Sequence, residues 1–256
     1  MSQTSGSSYS QNIHQLFDPS SDQLVSLVAD RTVAAIIHDW REGREAQIVL
    51  TGGRTGLSIA KSVDVALFRA TSQSDGESFK DSRLRIWFSD ERFVLNDSPD
   101  RSDTSLISGF EKSLPRIHFE RVAGPESTTV EEAARDYALA LETRVGAESR
   151  FDAVILSMGE DGHIASLFPG HTEQLNSTES AISVDNSPKP PAVRVSIGVA
   201  RLAKASAIYI FALGEGKREP LAALLAGTSA ASEGPISMLR KNSPATQIFI
   251  ATDLKL

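Results

Sequence analysis

Glu160, Asp161 and His163 stand in one glycine-broken turn, Met158-Gly159-Glu160-Asp161-Gly162-His163, directly after the apolar run Ala153-Val154-Ile155-Leu156. A buried strand usually ends in a plain turn. This one delivers two carboxylates and an imidazole, and histidine is the side chain whose ordinary proton affinity suits proton transfer near neutral pH. The chemistry indicated is general acid-base catalysis. A solvated polar loop competes with that reading, because Asp-Gly-His alone is a weak motif. Among the other histidines, His14 falls in a polar tail, His38 on a helix and His118 beside a strand, all positions that suit structural or exposed roles. His171, after Phe168-Pro169-Gly170, reads as a hydrogen-bonded turn residue.

Three further turns carry groups suited to an anion. Leu50-Thr51-Gly52-Gly53-Arg54-Thr55-Gly56 joins a strand to a helix. Its paired glycines expose N–H groups, and the following helix turns its positive end to the same place. Thr51 and Thr55 add hydroxyls and Arg54 a cation. An ordinary tight turn is the alternative. Neither a Rossmann fingerprint nor a Walker A loop is met, so a phosphomonoester fits better than a nucleotide. In Trp87-Phe88-Ser89-Asp90-Glu91-Arg92, alternation puts Asp90 and Arg92 on one side, where the carboxylate can hold the guanidinium for bidentate contact with a phosphate. A surface salt bridge competes there. Gly214-Glu215-Gly216-Lys217 brings one lysine to a helix start.

Other chemistries are weaker. A metal site from Asp90, Glu91, Asp161, His163 and His171 lacks the paired helical spacing of HExxH, and no metal or cofactor is expected. Ser166 lacks the Gly-x-Ser-x-Gly elbow of a nucleophile, which leaves water as the attacking group. No cysteine is present, which excludes disulfides, thiolate nucleophiles and sulfur-held zinc.

The elements that must position these turns alternate between short β-branched runs and stretches of helical period, the pattern of parallel βαβ units. Leu24 to Trp40, Leu57 to Leu67, Leu106 to Leu114 and Val130 to Val145 read as helices, the last opened by a Thr129/Glu132 capping box. Gln47 to Leu50, Leu84 to Phe88, the run before Met158, Val193 to Val199, Ala207 to Leu213 and Gln247 to Thr252 read as strands, with a helix ended by Gly227 between the last two. Thr71 to Asp81 and Leu175 to Pro191 read as surface loops. Residues 1–14 are expected to be a disordered tail without a secretory signal, and 15–256 a single α/β domain. In open sheets of this kind ligands bind beyond the carboxyl ends of the strands, where these turns lie. With 26 basic against 33 acidic residues, nucleic acid and anionic membranes are not expected partners. No apolar run reaches the roughly 20 residues of a membrane span, and a cytoplasmic monomer is expected.

Together these turns resemble the 6-phosphogluconolactonase family, part of the glucosamine-6-phosphate isomerase/6-phosphogluconolactonase family. The resemblance is carried by Met158 to His163 with Ala165-Ser166-Leu167-Phe168-Pro169-Gly170-His171, by Gly52-Gly53 with Thr55, by Asp90-Glu91-Arg92, by Arg194 and by Gly214 to Lys217, and it covers the chain from about Leu24 onward. It implies a mostly parallel, Rossmann-like sheet flanked by helices, similar to glucosamine-6-phosphate deaminases and ribose-5-phosphate isomerases. The activity implied is metal-independent hydrolysis of 6-phospho-D-glucono-1,5-lactone. His163 would be the general base, oriented by Asp161, and Gly52, Gly53, Arg54, Thr55, Asp90, Arg92, Arg194 and Lys217 would serve the substrate and its phosphate. The sequence departs from the family at Arg54 (usually Ser or Thr), Gly56 (Pro), Ser89 (Gly), Asp103 (Asn) and Ile164 (Thr). A deaminase is the nearest rival, but Ser166-Leu167-Phe168 replaces its Phe-Asn-Glu. A non-catalytic sugar-phosphate sensor is the third reading.

Overall fold

The computed structural model describes residues 12–73, 79–228, 233–243 and 245–256. Its strands are β1 (Ile13–Phe17), β2 (Ala46–Leu50), β3 (Leu84–Phe88), β4 (Asp90–Arg92), β5 (Ile117–Glu120), β6 (Ala153–Ser157), β7 (Ala181–Val184), β8 (Arg194–Ile197), β9 (Ala207–Ala212) and β10 (Gln247–Thr252). The helices are α1 (Ser21–Arg41), α2 (Gly53–Gln73), α3 (Ser102–Ile107), α4 (Val130–Ala140), α5 (Thr172–Leu175), α6 (Val199–Leu202), α7 (Arg218–Ala226) and α8 (Pro235–Lys241).

A parallel seven-stranded sheet runs β1-β10-β9-β6-β2-β3-β5. Its central strands β2, β6 and β9 are apolar at nearly every position because both faces are covered. Val49, Val154, Leu156, Ile208 and Ile210 point to one core, which α4 helps to close. Ile48, Leu50, Ala153, Ile155, Tyr209 and Phe211 point to the other, under α1 and α2. The period-2 alternation of each strand thus separates two cores across one sheet. From β2 the chain moves outward to β3 and β5, then returns to lay β6 on the other side of β2. That reversal opens a crevice at the carboxyl ends of the central strands.

A small antiparallel sheet, β4-β8-β7, branches off at Ser89. The Ser89 N–H donates to Leu50 O at 2.9 Å, while its carbonyl accepts from Ile197 N at 2.9 Å, so one residue is shared between the two sheets. Tyr137 of α4 braces the same point, accepting from Phe88 N at 2.9 Å and donating to Phe88 O at 3.0 Å. The capping box expected at Thr129 and Glu132 is formed.

Several sequence expectations give way. Residues 12–14 of the expected tail are ordered: β1 pairs with β10, and the Asn12 amide donates to the carbonyls of Ser243 and Thr246. Residues 1–11, and 74–78 of the expected 71–81 loop, lie outside the described residues; within that loop's span, Thr71 to Gln73 complete α2. The helix expected over Leu106 to Leu114 is α3, which stops at Ile107. The Asp64 carboxylate on α2 instead takes the N–H groups of Glu111, Lys112 and Ser113 at 3.0, 3.0 and 2.8 Å, holding that segment out of a helix. The strand expected at Val193 to Val199 is the shorter β8 and belongs to the small sheet. Its partner β7 lies inside the stretch expected to be a loop. No helix of the described residues is long and apolar enough to cross a membrane.

Candidate active site

The turns after β2, β6 and β9, three adjacent strands, meet at one rim. They line an open cavity of about 480 Å³ that includes Gly52, Gly53, Arg54, Thr55, Glu160 and Lys217. Gly53 opens α2 with a φ of +72°, a backbone state that residues with a Cβ avoid. The helix that follows is 21 residues long, and its free N–H groups and positive dipole end face the cavity. Lys217, half-buried, approaches from the turn after β9, its Nζ 3.7 Å from Glu160 Oε1. Glu160, to which the family resemblance gives no role, stands in this cavity as the partner of the lysine.

His163 lies on the same loop that contributes Glu160. Asp161 bends this loop by accepting from His163 N at 3.3 Å, and Gly159 N closes it on His163 O at 2.8 Å. Gly159 can be nothing larger: a Cβ there would lie 2.1 Å from the imidazole ring. His163 Nδ1 is hydrogen-bonded to Asp161 Oδ1. A carboxylate can only accept, so Nδ1 carries the proton and Nε2 keeps a free lone pair. The ring packs on Phe168 with centroids 4.8 Å apart. Burial is the largest influence on His163 and pushes its proton affinity below the ordinary value. Asp161 opposes this by its hydrogen bond and charge, Lys189 adds to the lowering, and Asp90 opposes it. For Asp161 burial works to raise the carboxyl, but the His163 contact and the nearby Lys189 outweigh it and hold the group below the usual carboxylate range. The resulting state is a carboxylate beside a neutral imidazole, which is the form of a base.

Behind the pair runs a buried polar array. Ser166 Oγ donates to Asp90 Oδ2 at 2.6 Å, Ser89 Oγ donates to Asp90 Oδ1 at 2.9 Å, and Arg194 Nη1 lies 3.4 Å from Ser166 Oγ. Ala165 between them takes a φ of +51°, a strained state that the array holds in place. Ser166 is fully buried and faces Asp90, which accords with its exclusion as a nucleophile.

The site residues expected from sequence therefore separate. Gly52, Gly53, Arg54, Thr55 and Lys217 share the cavity, with Asp161 and His163 on the adjoining loop. Asp90 does not hold Arg92, because its oxygens are occupied by Ser89 and Ser166; Arg92 Nη1 donates to Asp100 O at 2.7 Å instead. Arg194 is buried, and its guanidinium donates to the carbonyls of Lys189 and Pro191 at 2.9 and 3.0 Å, so it clamps a loop and does not line the cavity. His171 caps α5 beside Gln174, and His14 and His118 lie in β1 and β5. Among the described residues no group of three or more His, Cys, Asp or Glu is placed to hold a metal ion.

Glu91 and Asp103, between β4 and α3, are wholly buried. Glu91 accepts from the N–H groups of Arg92, Ser102 and Asp103, all at 2.8 Å. Asp103, the departure from Asn, takes Arg101 Nη2 at 2.6 Å and Arg121 Nε at 2.8 Å. The cluster fixes Ser102 against the cavity turn, since a Cβ on Gly52 would lie 2.4 Å from Ser102 Oγ. Sequence reasoning also missed Lys189, whose Nζ is 3.8 Å from Asp161 Oδ2. The available signal was one cation set among prolines, Ser187-Pro188-Lys189-Pro190-Pro191, just ahead of β8.

A family model described as glucosamine-6-phosphate isomerases/6-phosphogluconolactonase matches residues 19–248. A 6-phosphogluconolactonase of Streptomyces coelicolor is 32% identical over 214 residues, covering 80% of this chain and 79% of that protein. The Rattus norvegicus 6-phosphogluconolactonase is 30% identical over 229 residues, covering 89% and 85%. Among solved structures, the 6-phosphogluconolactonase from Trypanosoma cruzi has a TM-score of 0.77 at 20% identity, covering 97% of this chain and 96% of that one, a likeness of fold.

Proposed function

Because the chain belongs to the glucosamine-6-phosphate isomerase/6-phosphogluconolactonase family, we propose that it hydrolyses 6-phospho-D-glucono-1,5-lactone to 6-phospho-D-gluconate, without a metal ion and with His163 as general base. The observation that carries this reading is the free Nε2 of a neutral imidazole whose Nδ1–H is held by Asp161, one loop away from a cavity suited to a phosphate.

The phosphate binds at the start of α2, where the N–H groups of the Gly53 to Thr55 turn, Arg54 and Lys217 converge. Binding there positions the ring so that its carbonyl carbon comes within reach of a water beside His163. Nε2 takes a proton from that water as its oxygen bonds to the carbonyl carbon, and the carbonyl electrons move onto oxygen. When the tetrahedral intermediate collapses, the bond from this carbon to the ring oxygen breaks. The imidazolium then returns its proton to the departing oxygen, leaving the open-chain acid. General-base assistance of this kind contributes a factor of about 10² to 10⁴. A cytoplasmic setting suits a free sugar phosphate as substrate.

The test is hydrolysis of the lactone by purified protein in a strong chelator, comparing wild type with His163→Ala. The variant is expected to lose a factor of about 10² to 10⁴ in rate while still binding 6-phosphogluconate. Undiminished activity in His163→Ala would remove the base assignment, dependence on added metal would remove the metal-free mechanism, and ammonia release from glucosamine 6-phosphate would favour a deaminase.

A further inference from the structure

Lys189 sits in the loop between β7 and β8, a segment whose composition signals only a surface connection, yet its backbone is among the most firmly held near the site. Arg194, buried at the start of β8, donates Nη2 to Lys189 O at 2.9 Å and Nε to Pro191 O at 3.0 Å. Ser187 Oγ donates to the same Lys189 carbonyl at 2.9 Å, and Ser187 N closes the loop on Ala192 O at 3.0 Å. Arg194 is in turn fixed from behind, 3.8 Å from Asp90 Oδ2 and 3.4 Å from Ser166 Oγ, in the array that also supports the strained Ala165 two residues after His163. Arg194, Asp90 and Ser166 therefore tie the lysine's loop to the histidine's loop. The outcome of that tethering is an ammonium 3.8 Å from Asp161 Oδ2, while the other oxygen of the same carboxylate holds His163 Nδ1.

From this geometry we infer that Lys189 is a positioning residue of the active site, held by the Arg194 clamp so that its ammonium shares the Asp161 carboxylate with His163 and offsets part of that carboxylate's pull on the imidazole. The inference rests on the reading of His163 as base and deepens it. A lone carboxylate beside an imidazole orients the ring but also stabilises its protonated form, which is useless for accepting a proton from water. A cation on the far oxygen removes part of that attraction without breaking the orienting hydrogen bond. The charged groups facing His163 are Asp161 from its own loop, Asp90 from β4 and Lys189 from the β7–β8 loop; the two carboxylates favour the imidazolium and only the lysine opposes it. The lysine side chain is half-exposed, at 47%, so its influence is screened and modest.

Lys189→Met removes the ammonium and keeps the apolar stem. His163 should then take up its proton at higher pH, so the fraction present as base falls on the acid side while remaining nearly complete on the alkaline side. The expected reading is a kcat/KM that drops more at low pH than at pH 8, approaching at most about two- to threefold at the acid end, with Lys189→Arg close to wild type throughout. Titration of the His163 ring by NMR in the unliganded protein should move in the same direction. Arg194→Lys, which keeps a cation beside Asp90 but shortens the reach to the two carbonyls, should reproduce the Met variant's pH signature in weaker form. An unmoved His163 titration in Lys189→Met, or an equal loss of rate at low pH and at pH 8, overturns the inference and leaves Lys189 a structural part of the loop. Failure of the base reading is separate: it shows as full activity in His163→Ala, whatever Lys189→Met does.

Discussion

Asp161 and Asp103 are two carboxylates beside the same rim of the sheet, and the fold treats them oppositely. Asp103 has no exposure, and two guanidinium groups and the N–H of Thr104 fill its acceptor sites. Asp161 is exposed, contacts one imidazole and lies within 3.8 Å of one ammonium. In the buried cluster each carboxyl has a near-complete set of partners, and the groups serve to hold α3 against the Gly52 turn. In the His163 loop one ring nitrogen is engaged and the other is left open. On the proposed reading of His163 as base, reactivity depends on incomplete satisfaction, and the saturated cluster beside it supplies the rigidity that lets an incompletely satisfied pair keep its geometry.

The strongest way to break this comparison is Asp103→Ala. It strands the buried Arg101 guanidinium and should lower unfolding free energy by about 3–5 kcal/mol, measured by urea denaturation; a cost under about 1 kcal/mol would show that the cluster is not the rigid half of the pair. Next is the pH dependence of stability borne by Glu91, whose carboxyl is pushed up to about 7, first by burial and then by the charge of Asp103. Its folded value lies above its unfolded one. The stability linked to the protonated form is therefore complete below the ordinary carboxylate range and is lost as pH rises through about 7, a change on the order of 3 kcal/mol. The stability linked to Asp152, also pushed up to about 7 by burial, is lost over the same range, so denaturation between pH 5 and pH 8 should show a decline that is smaller in Glu91→Gln than in wild type by about that amount. A smaller effect, of opposite kind, is expected from Asp161→Ala. Stability should stay within about 0.5 kcal/mol of wild type while kcat/KM falls on the order of 10- to 10²-fold, part of the base's contribution. A large loss of stability would erase the contrast with Asp103. Smallest is Lys217→Ala, which should raise KM for the phosphorylated lactone by up to about tenfold and leave an unphosphorylated lactone unaffected. Equal changes for both substrates would take the lysine out of the phosphate cavity.

Much of the molecule is legible before any coordinates. The runs at Gln47 to Leu50, Ala153 to Leu156 and Ala207 to Leu213 announce buried parallel strands, because only a strand covered on both faces can be apolar at consecutive positions. Edge elements are harder. In β5, Ile-His-Phe-Glu is short and half polar, and β1 sits among residues that resemble a tail; each is a strand because a neighbour offers it a ladder, which is a property of the partner. The Ala181-Ile182-Ser183-Val184 strand is hidden the same way inside a stretch rich in Ser, Asn and Pro.

What the sequence alone determined is which strand ends carry reactive groups: the imidazole with its carboxylate two residues away, the glycine turn ahead of a helix, the lysine after β9. Each signal is a short stretch in which strand, turn and functional group are consecutive, and local spacing is enough to read it. Tertiary structure decided which charges meet across the chain. Asp90 turns to Ser166 and leaves Arg92 to Asp100, Arg194 serves a loop's carbonyls, and Lys189 reaches Asp161 from a loop 28 residues further along. Charge pairs of that kind are set by distance and burial after folding, and a row of residue types carries neither.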